Sequence, residues 1–301
     1  ALKAAQIPLL QADAVVNNLA GQLRQVVLFD SEIAYDAALI TESQLVAATL
    51  EGLKMPLIVG VMSQKDAAWT SYGNIADFTA LGSPNISYFI SQDSNGRGKA
   101  LSTLRGEFVS DAGAWLGNNS LLNAGQSVGD PAADVTDNTG ENEVVEFITG
   151  EKFSILDTVE NDLLADQHGT FTRKISGKTG TYYAAGYTCD LDTSEYRTQE
   201  RNRAMNEAIR STNKALANRL NSVVFFNTDG TLTDSDVNAI VGEVKAELEI
   251  LKVEGTISNY NVTIDTAQNV ATTGTLTVTT SIQPVGVLEN IIQNISFTKT
   301  V

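Results

Sequence analysis

Residues 125–129, Gly-Gln-Ser-Val-Gly, match the G-x-S-x-G pattern. In that pattern a serine nucleophile sits on a sharp turn between a strand and a helix. Ser127 would then need a general base, and His168 is the one histidine of the chain. Here a loop precedes the motif and Asp130-Pro131 follows it, so the elbow lacks its strand and its helix. Residues 176–180, Ser-Gly-Lys-Thr-Gly, have the end of a phosphate-binding loop, but the first glycine of such a loop would fall on Thr172. Residues 227–236 have the spacing of a calcium loop with Gly230 as its turn glycine. Phe225 would occupy the first ligand position, and it has no oxygen on its side chain to offer. Zinc chemistry needs clustered Cys and His, and one Cys189 and one His168 do not make a cluster. The residues therefore predict no catalytic, cofactor-binding or metal site. A serine hydrolase using Ser127 is the enzymatic alternative.

Elements that would position any site come from hydrophobic period. Residues 1–25 look helical after Pro8, and residues 26–29 are a short apolar strand. Thr41 caps a helix whose stripe is Leu45, Val46, Thr49, Leu50 and Leu53. Residues 56–63 (PLIVGVMS) and 85–91 (NISYFIS) read as strands covered on both faces and adjacent in one sheet. Residues 64–81 read as helix, from Trp69, Tyr72, Ile75 and Phe78, with Gly82-Ser83-Pro84 stopping it. Helix alternating with buried strand gives a mixed α/β layer with a largely parallel sheet. Residues 98–116 are helical toward their end, residues 117–140 are loop, and residues 143–155 form a strand pair about Thr149-Gly150. Residues 161–180 are polar with turn residues, and residues 181–189 form a strand that packs Cys189 as a small residue.

The carboxyl-terminal third has the clearest pattern. Asp192 and Glu195 stand as a cap pair for a long helix with Met205, Ile209, Leu216 and Leu220 on one stripe. Arg197, Arg201, Arg203, Arg210, Lys214 and Arg219 make it the most basic stretch of the chain. Residues 223–226 are a short strand, and Asn227 to Gly230 form a turn. Thr233 and Asp236 cap a second helix whose stripe is Val237, Ile240, Val241, Val244, Leu248 and Leu251, stopped by Gly255. Tyr260, Val262 and Ile264 alternate, as do Leu276, Val278 and Ile282. After Pro284, residues 291–301 alternate again to the last residue, with Ile291, Ile295, Phe297 and Val301 on the apolar side. The division expected is a body over residues 1–191, loop-rich at 117–180, and a carboxyl-terminal domain over 192–301 with a strand arm at 291–301.

The chain has 301 residues, 43% hydrophobic and 19% charged, with a net charge of −16. That is a globular composition, long enough for one large domain or two ordinary ones. Acidity of this size repels phosphate backbones and anionic membranes. One cysteine excludes a disulfide framework, and no apolar run reaches the ~18 residues of a membrane helix. No signal peptide and no initiator Met stand at Ala1, as expected of a chain that begins after processing or trimming.

The stretch GTYYAAGYTCDLDTSEYRTQERNRAMNEAIRSTNKAL, residues 180–216, resembles the strand, acidic turn and arginine-bearing helix of contractile phage tail sheath proteins. The likeness continues through residues 248–254, 260–265 and 274–278, the turn at Pro284 and the closing strand at 291–297. About a third of the chain carries it. The chain is short for that family and has no obvious extended amino-terminal arm. The resemblance implies a sheath-like body with a mixed sheet flanked by helices, and a carboxyl-terminal helix-helix-strand region. It implies a virion structural protein of a phage tail or related contractile injection system. Self-association would be helical and six-fold around a tail tube, with baseplate and terminator proteins as further partners. Assembly would take place in the bacterial cytoplasm, without nucleic acid or membrane insertion. Arg197, Arg201, Arg210 and Arg219, and the apolar side of the closing strand, are the expected inter-subunit contacts. Another tail component, tube or terminator, is the structural alternative, but a tube subunit should be mainly antiparallel β and this chain has three strong helix patterns.

Overall fold

The computed structural model describes residues 23–130, 132–136, 142–153 and 163–287. Its centre is a parallel sheet of four strands in the order β1 (Gln25–Ala34), β2 (Ile58–Gln64), β3 (Ile86–Phe89) and β7 (Gly169–Thr170). The two runs expected to be adjacent and buried are β2 and β3. In β2, Val59 and Val61 point into one core while Ile58 and Met62 point into the other. A strand apolar on both faces therefore needs a cover on each.

The first core holds Leu28, Ile40, Leu50, Val59, Val61, Ile86 and Tyr88 under helix α1 (Ala37–Gly52). α1 begins four residues before Thr41. Asp36 is its cap and accepts from the Ala38 amide at 2.9 Å. Thr41 lies inside the first turns, donating back to the Ala38 carbonyl. The buried stripe is Leu39, Ile40, Ser43, Val46, Ala47 and Leu50, so Leu45 and Leu53 face solvent. Misplacing the cap rotated the expected stripe.

Residues 64–81 are not a helix. Two short 3-10 turns, Tyr72–Asn74 and Thr79–Leu81, interrupt extended chain. The Asp66 carboxylate takes the Ala68 amide, and the Asp77 carboxylate takes the amide and hydroxyl of Thr79. Such local bonds compete with helix. The spacing of Trp69, Ile75 and Phe78 reflects an aromatic cluster instead. Trp69 lies 4.7 Å from Tyr35, and Phe78 stacks on Tyr88 at 4.8 Å.

The second core, beneath the sheet's other face, gathers Ile58, Met62, Phe89, Ala112, Trp115, Val128 and Tyr183. Trp115 lies on helix α3 (Ala112–Leu121) and approaches so closely that a Cβ on Gly60 would come 3.2 Å from its ring and 2.8 Å from Phe89. Helix α2 (Arg97–Arg105) precedes α3. Beside it, β4 (Ser91–Asp93), β5 (Val145–Phe147) and β6 (Lys152–Phe153) form an antiparallel sheet whose last turn is the expected one at Thr149-Gly150. The region expected as turns supplies β7 and β8 (Thr172–Arg173), and β8 pairs with β9 (Tyr182–Tyr183). Cys189 is fully buried, bridging to Ser83.

The carboxyl-terminal region consists of helix α4 (Gln199–Ala217), helix α5 (Asp234–Val253), β10 (Ile257–Ile264), a single turn α6 (Val270–Thr273) and β11 (Val278–Pro284). Ala204, Ala208 and Ala215 of α4 let α5 close in through Val244, Leu248 and Leu251. Both α5 caps are as expected: Thr233 accepts from the Asp236 amide, and Gly255 takes the left-handed conformation at φ 74°. β10 and β11 are an antiparallel pair. Residues 223–226 give one bridge, Phe226 to Leu232, and Val223 and Phe225 are exposed. Of the helix expected in residues 1–25, residues 1–22 lie outside the described residues, and its end is not helical, since Gln25 opens β1; the strand expected in 291–301 also lies outside them.

Candidate functional site: helix α4 and its junction with the body

α4 starts at Gln199, not behind Asp192 and Glu195. Its buried face at that end is polar: Gln199, Glu200, Asn202, Arg203 and Asn206. Met205, Ile209 and Leu216 are only half-buried, and Leu220 is 76% exposed. Three residues of that face, Gln199, Asn202 and Arg203, bond to the body. The Gln199 side chain accepts from the Trp115 indole at 2.6 Å and donates to Ser87 at 2.6 Å. Asn202 donates to the Pro84 carbonyl. Arg203 donates to the carbonyls of Asn119 and Leu122 at 3.1 and 2.9 Å, and to the Asn119 amide oxygen at 2.9 Å. Those carbonyls are the last ones of α3, so a buried guanidinium caps a helix carboxyl end, where positive charge is favoured. Burial lowers the Arg203 pKa to about 10.

The four arginines expected at an interface have different surroundings. Arg210 donates to the carbonyls of Leu23 and Pro56, tying α4 to the entrances of β1 and β2. Burial, with the charge of Arg24 adding, lowers its pKa to about 10. Arg219 makes a two-pronged pair with Glu243 of α5, at 2.8 and 2.5 Å. Arg197 precedes the helix, 3.6 Å from Asp192, and Arg201 lies 3.9 Å from Glu195. Arg24, Arg203 and Arg210 also line an open cleft of about 560 Å³ together with Pro56, Asn119 and Leu251. Ile291, Ile295, Phe297 and Val301 lie outside the described residues.

The motifs that suggested chemistry turn out to be local turns. Ser127 is buried in the turn after α3, its hydroxyl accepting the Gly129 amide at 3.2 Å. His168 is fully buried at φ 57°, stacked on Tyr187 at 5.1 Å. Its ring nitrogens face the Thr188 carbonyl and the Asp192 carboxylate, each at 2.9 Å. It holds the 187–192 segment in place, and no hydrogen bond joins it to Ser127 among the described residues. Lys178 lies over the Tyr182 ring at 4.5 Å. In the 227–236 loop the Asp229 carboxylate takes the amide and hydroxyl of Thr231, and that of Asp236 takes the Phe225 amide. Among the described residues no three metal-ligating side chains converge, and no helix is long and apolar enough to cross a membrane.

Sequence reasoning counted Arg203 among the basic residues but gave no role to it, to Gln199 or to Asp111. Their side-chain partners lie between 20 and 112 residues away in the chain, and no local pattern announces them.

No protein-family model matches the sequence, and no curated protein matches it. Solved structures do match. A chain of the anti-feeding prophage (AFP) baseplate, 6-fold symmetrised, aligns at 14% identity and TM-score 0.58, covering 96% of this chain and 72% of that one. The AFP helical sheath in its contracted state aligns at 13% identity and TM-score 0.60, covering 95% and 73%. The PVC sheath complex of an extracellular contractile injection system, also contracted, aligns at 13% identity and TM-score 0.52, covering 86% and 68%. The mixed α/β body joined by α4 to a helix and a hairpin is thus the fold of contractile injection-system sheaths.

Proposed function

We propose that this chain is a structural subunit of a contractile sheath, polymerising as stacked six-fold rings around a tail tube and changing lattice to drive the tube through a target envelope. The observation that supports this most is the likeness to a helical sheath over 95% of the chain. Baseplate and terminator proteins are the further partners, and the subunit works within a phage tail or injection particle assembled in the bacterial cytoplasm. It turns over no substrate and needs no cofactor. One structural feature and one pattern of the sequence fit such a polymer. The β10–β11 pair is a two-stranded sheet among the described residues, and a sheet of that size gains from further strands. The closing strand, through Ile291, Ile295, Phe297 and Val301, is the segment we assign to pair with a neighbouring copy. The basic residues of the α4 region, Arg197 and Arg201 first, meet acidic surface of another copy or of the tube.

Negative-stain microscopy of concentrated protein tests the reading. Hollow tubes or stacked rings are expected, and a strictly monomeric protein at high concentration and raised salt would overturn it. In parallel, Ser127→Ala should leave esterase and peptidase readings at the background of the unaltered protein.

A further inference from the structure

A carboxylate sits unanswered in the body. Asp111 immediately precedes α3 and is 6% exposed. One of its oxygens accepts from the hydroxyls of Ser91 on β4, at 2.5 Å, and Thr172 on β8, at 3.0 Å. Its other oxygen is buried without a hydrogen-bond partner. Its backbone is equally committed: its amide donates to the Ser91 carbonyl, and its carbonyl accepts from Tyr183 of β9 at 2.8 Å and from the Trp115 amide. One residue therefore joins β4, β8, β9 and the start of α3.

Among the described residues, the charged groups around it supply no counter-ion. Asp93 of β4 is buried, has its own unpartnered carboxylate oxygen, and opposes ionisation of Asp111. Glu146 of β5 engages Lys99 of α2 and Lys152 of β6. Tyr183 contributes a neutral phenol, held neutral by burial. Arg173 follows Thr172 on β8 and is half-buried, and it does not bond Asp111. An ionised carboxylate with two hydroxyl donors and a bare second oxygen is poorly solvated there, and a neutral acid loses far less by the same burial.

We propose that Asp111 is a proton-operated lock: as the neutral acid it clamps β4 and β8 to the start of α3, and on losing its proton it favours opening of that junction to water. Burial, against the two hydroxyl bonds, pushes its pKa from the ordinary 3.8 up to about 7. The sign follows from linkage. Between those values the opened junction releases a proton that the closed one keeps, so closure weakens as pH rises and levels off above about 7. Acid tightens the lock, and neutral pH is where it gives. This goes beyond the sheath reading and holds for the folded subunit whether or not it polymerises.

Hydrogen exchange of the Trp115 and Thr172 amides on the intact chain, corrected for intrinsic rates, measures the opening. It should rise by up to about tenfold per pH unit from pH 5 to 7 and then level off. Asp111→Asn, which keeps an oxygen for Ser91 and Thr172, should flatten that profile. A flat profile in the unaltered protein, or the same slope in both, would overturn the proposal. If Asp111→Asn does not fold, Thr172→Val replaces it: removing a donor to the charged form should move the levelling point to higher pH, and an unmoved point rejects the lock.

Discussion

Arg203 shows what a single residue does in this fold. Its guanidinium closes the carboxyl end of α3 from another helix. Replacing it with Met would leave the Asn119 and Leu122 carbonyls buried without donors. The expected loss is about 2–4 kcal/mol, read from urea unfolding. Gly125 is a second such point. A Cβ there would lie 2.7 Å from the Thr256 carbonyl and 2.8 Å from Val285. Gly125→Ala should therefore cost about 1–3 kcal/mol in the same measurement, unless the turn shifts away from β10. Neither residue was legible in the sequence. A glycine inside a G-x-S-x-G match drew attention to Ser127 instead, although the close packing belongs to Gly125. The expectations that did survive at this scale, Thr233 and Gly255, concern bonds made within a few residues.

Elements were legible where their hydrogen bonds and their burial follow the same pattern. α5 has a local cap, an apolar stripe and a glycine stop, and all three are present. Thr233→Ala should lower stability by about 1 kcal/mol, seen as a small drop in melting temperature without change of fold. The strands β2 and β3 were legible for a related reason: a run apolar on both faces has few other places to go. α4 was misplaced because its first turns are buried through amides and a guanidinium, which the hydrophobic period treats as solvent-facing. Residues 64–81 were misread because aromatic residues gathered by tertiary packing happened to fall about three apart. In both cases partners come from other elements, at Trp115 and Ser87 for Gln199, and at Tyr35 on the far side of α1 and β2 in sequence for Phe78.

For the whole molecule the question is how copies of a chain with net charge −16 come together. Like charge opposes stacking, and salt screens it. Assembly should therefore speed up as ionic strength rises toward physiological values, measurable by light scattering. Arg201→Glu should slow assembly and leave the melting temperature near that of the unaltered chain. Arg210→Glu should instead unfold the body's edge, because Arg210 holds the entrances of β1 and β2. Deleting the residues after Gln293 should leave a folded, soluble subunit that forms no tubes, and a proline at Ile295 should do the same by removing a ladder donor. A truncated chain that still polymerises in the electron microscope would show that the strand is private to its own subunit.

α4 is anchored at both ends, by Gln199, Asn202 and Arg203 in the body and by Ala208 and Ala215 against α5. It is one continuous helix of nineteen residues, about 28 Å long. Mechanically that makes it a stiff strut without a joint. A twist applied to the β10–β11 hairpin reaches the parallel sheet through the same rod, and the two ends turn together. Replacing Ser211 and Thr212 by a pair of glycines would put a soft coupling in mid-span. Calorimetry should then resolve two transitions where the unaltered subunit gives one, and any force loaded at one end would arrive at the other weakened and late.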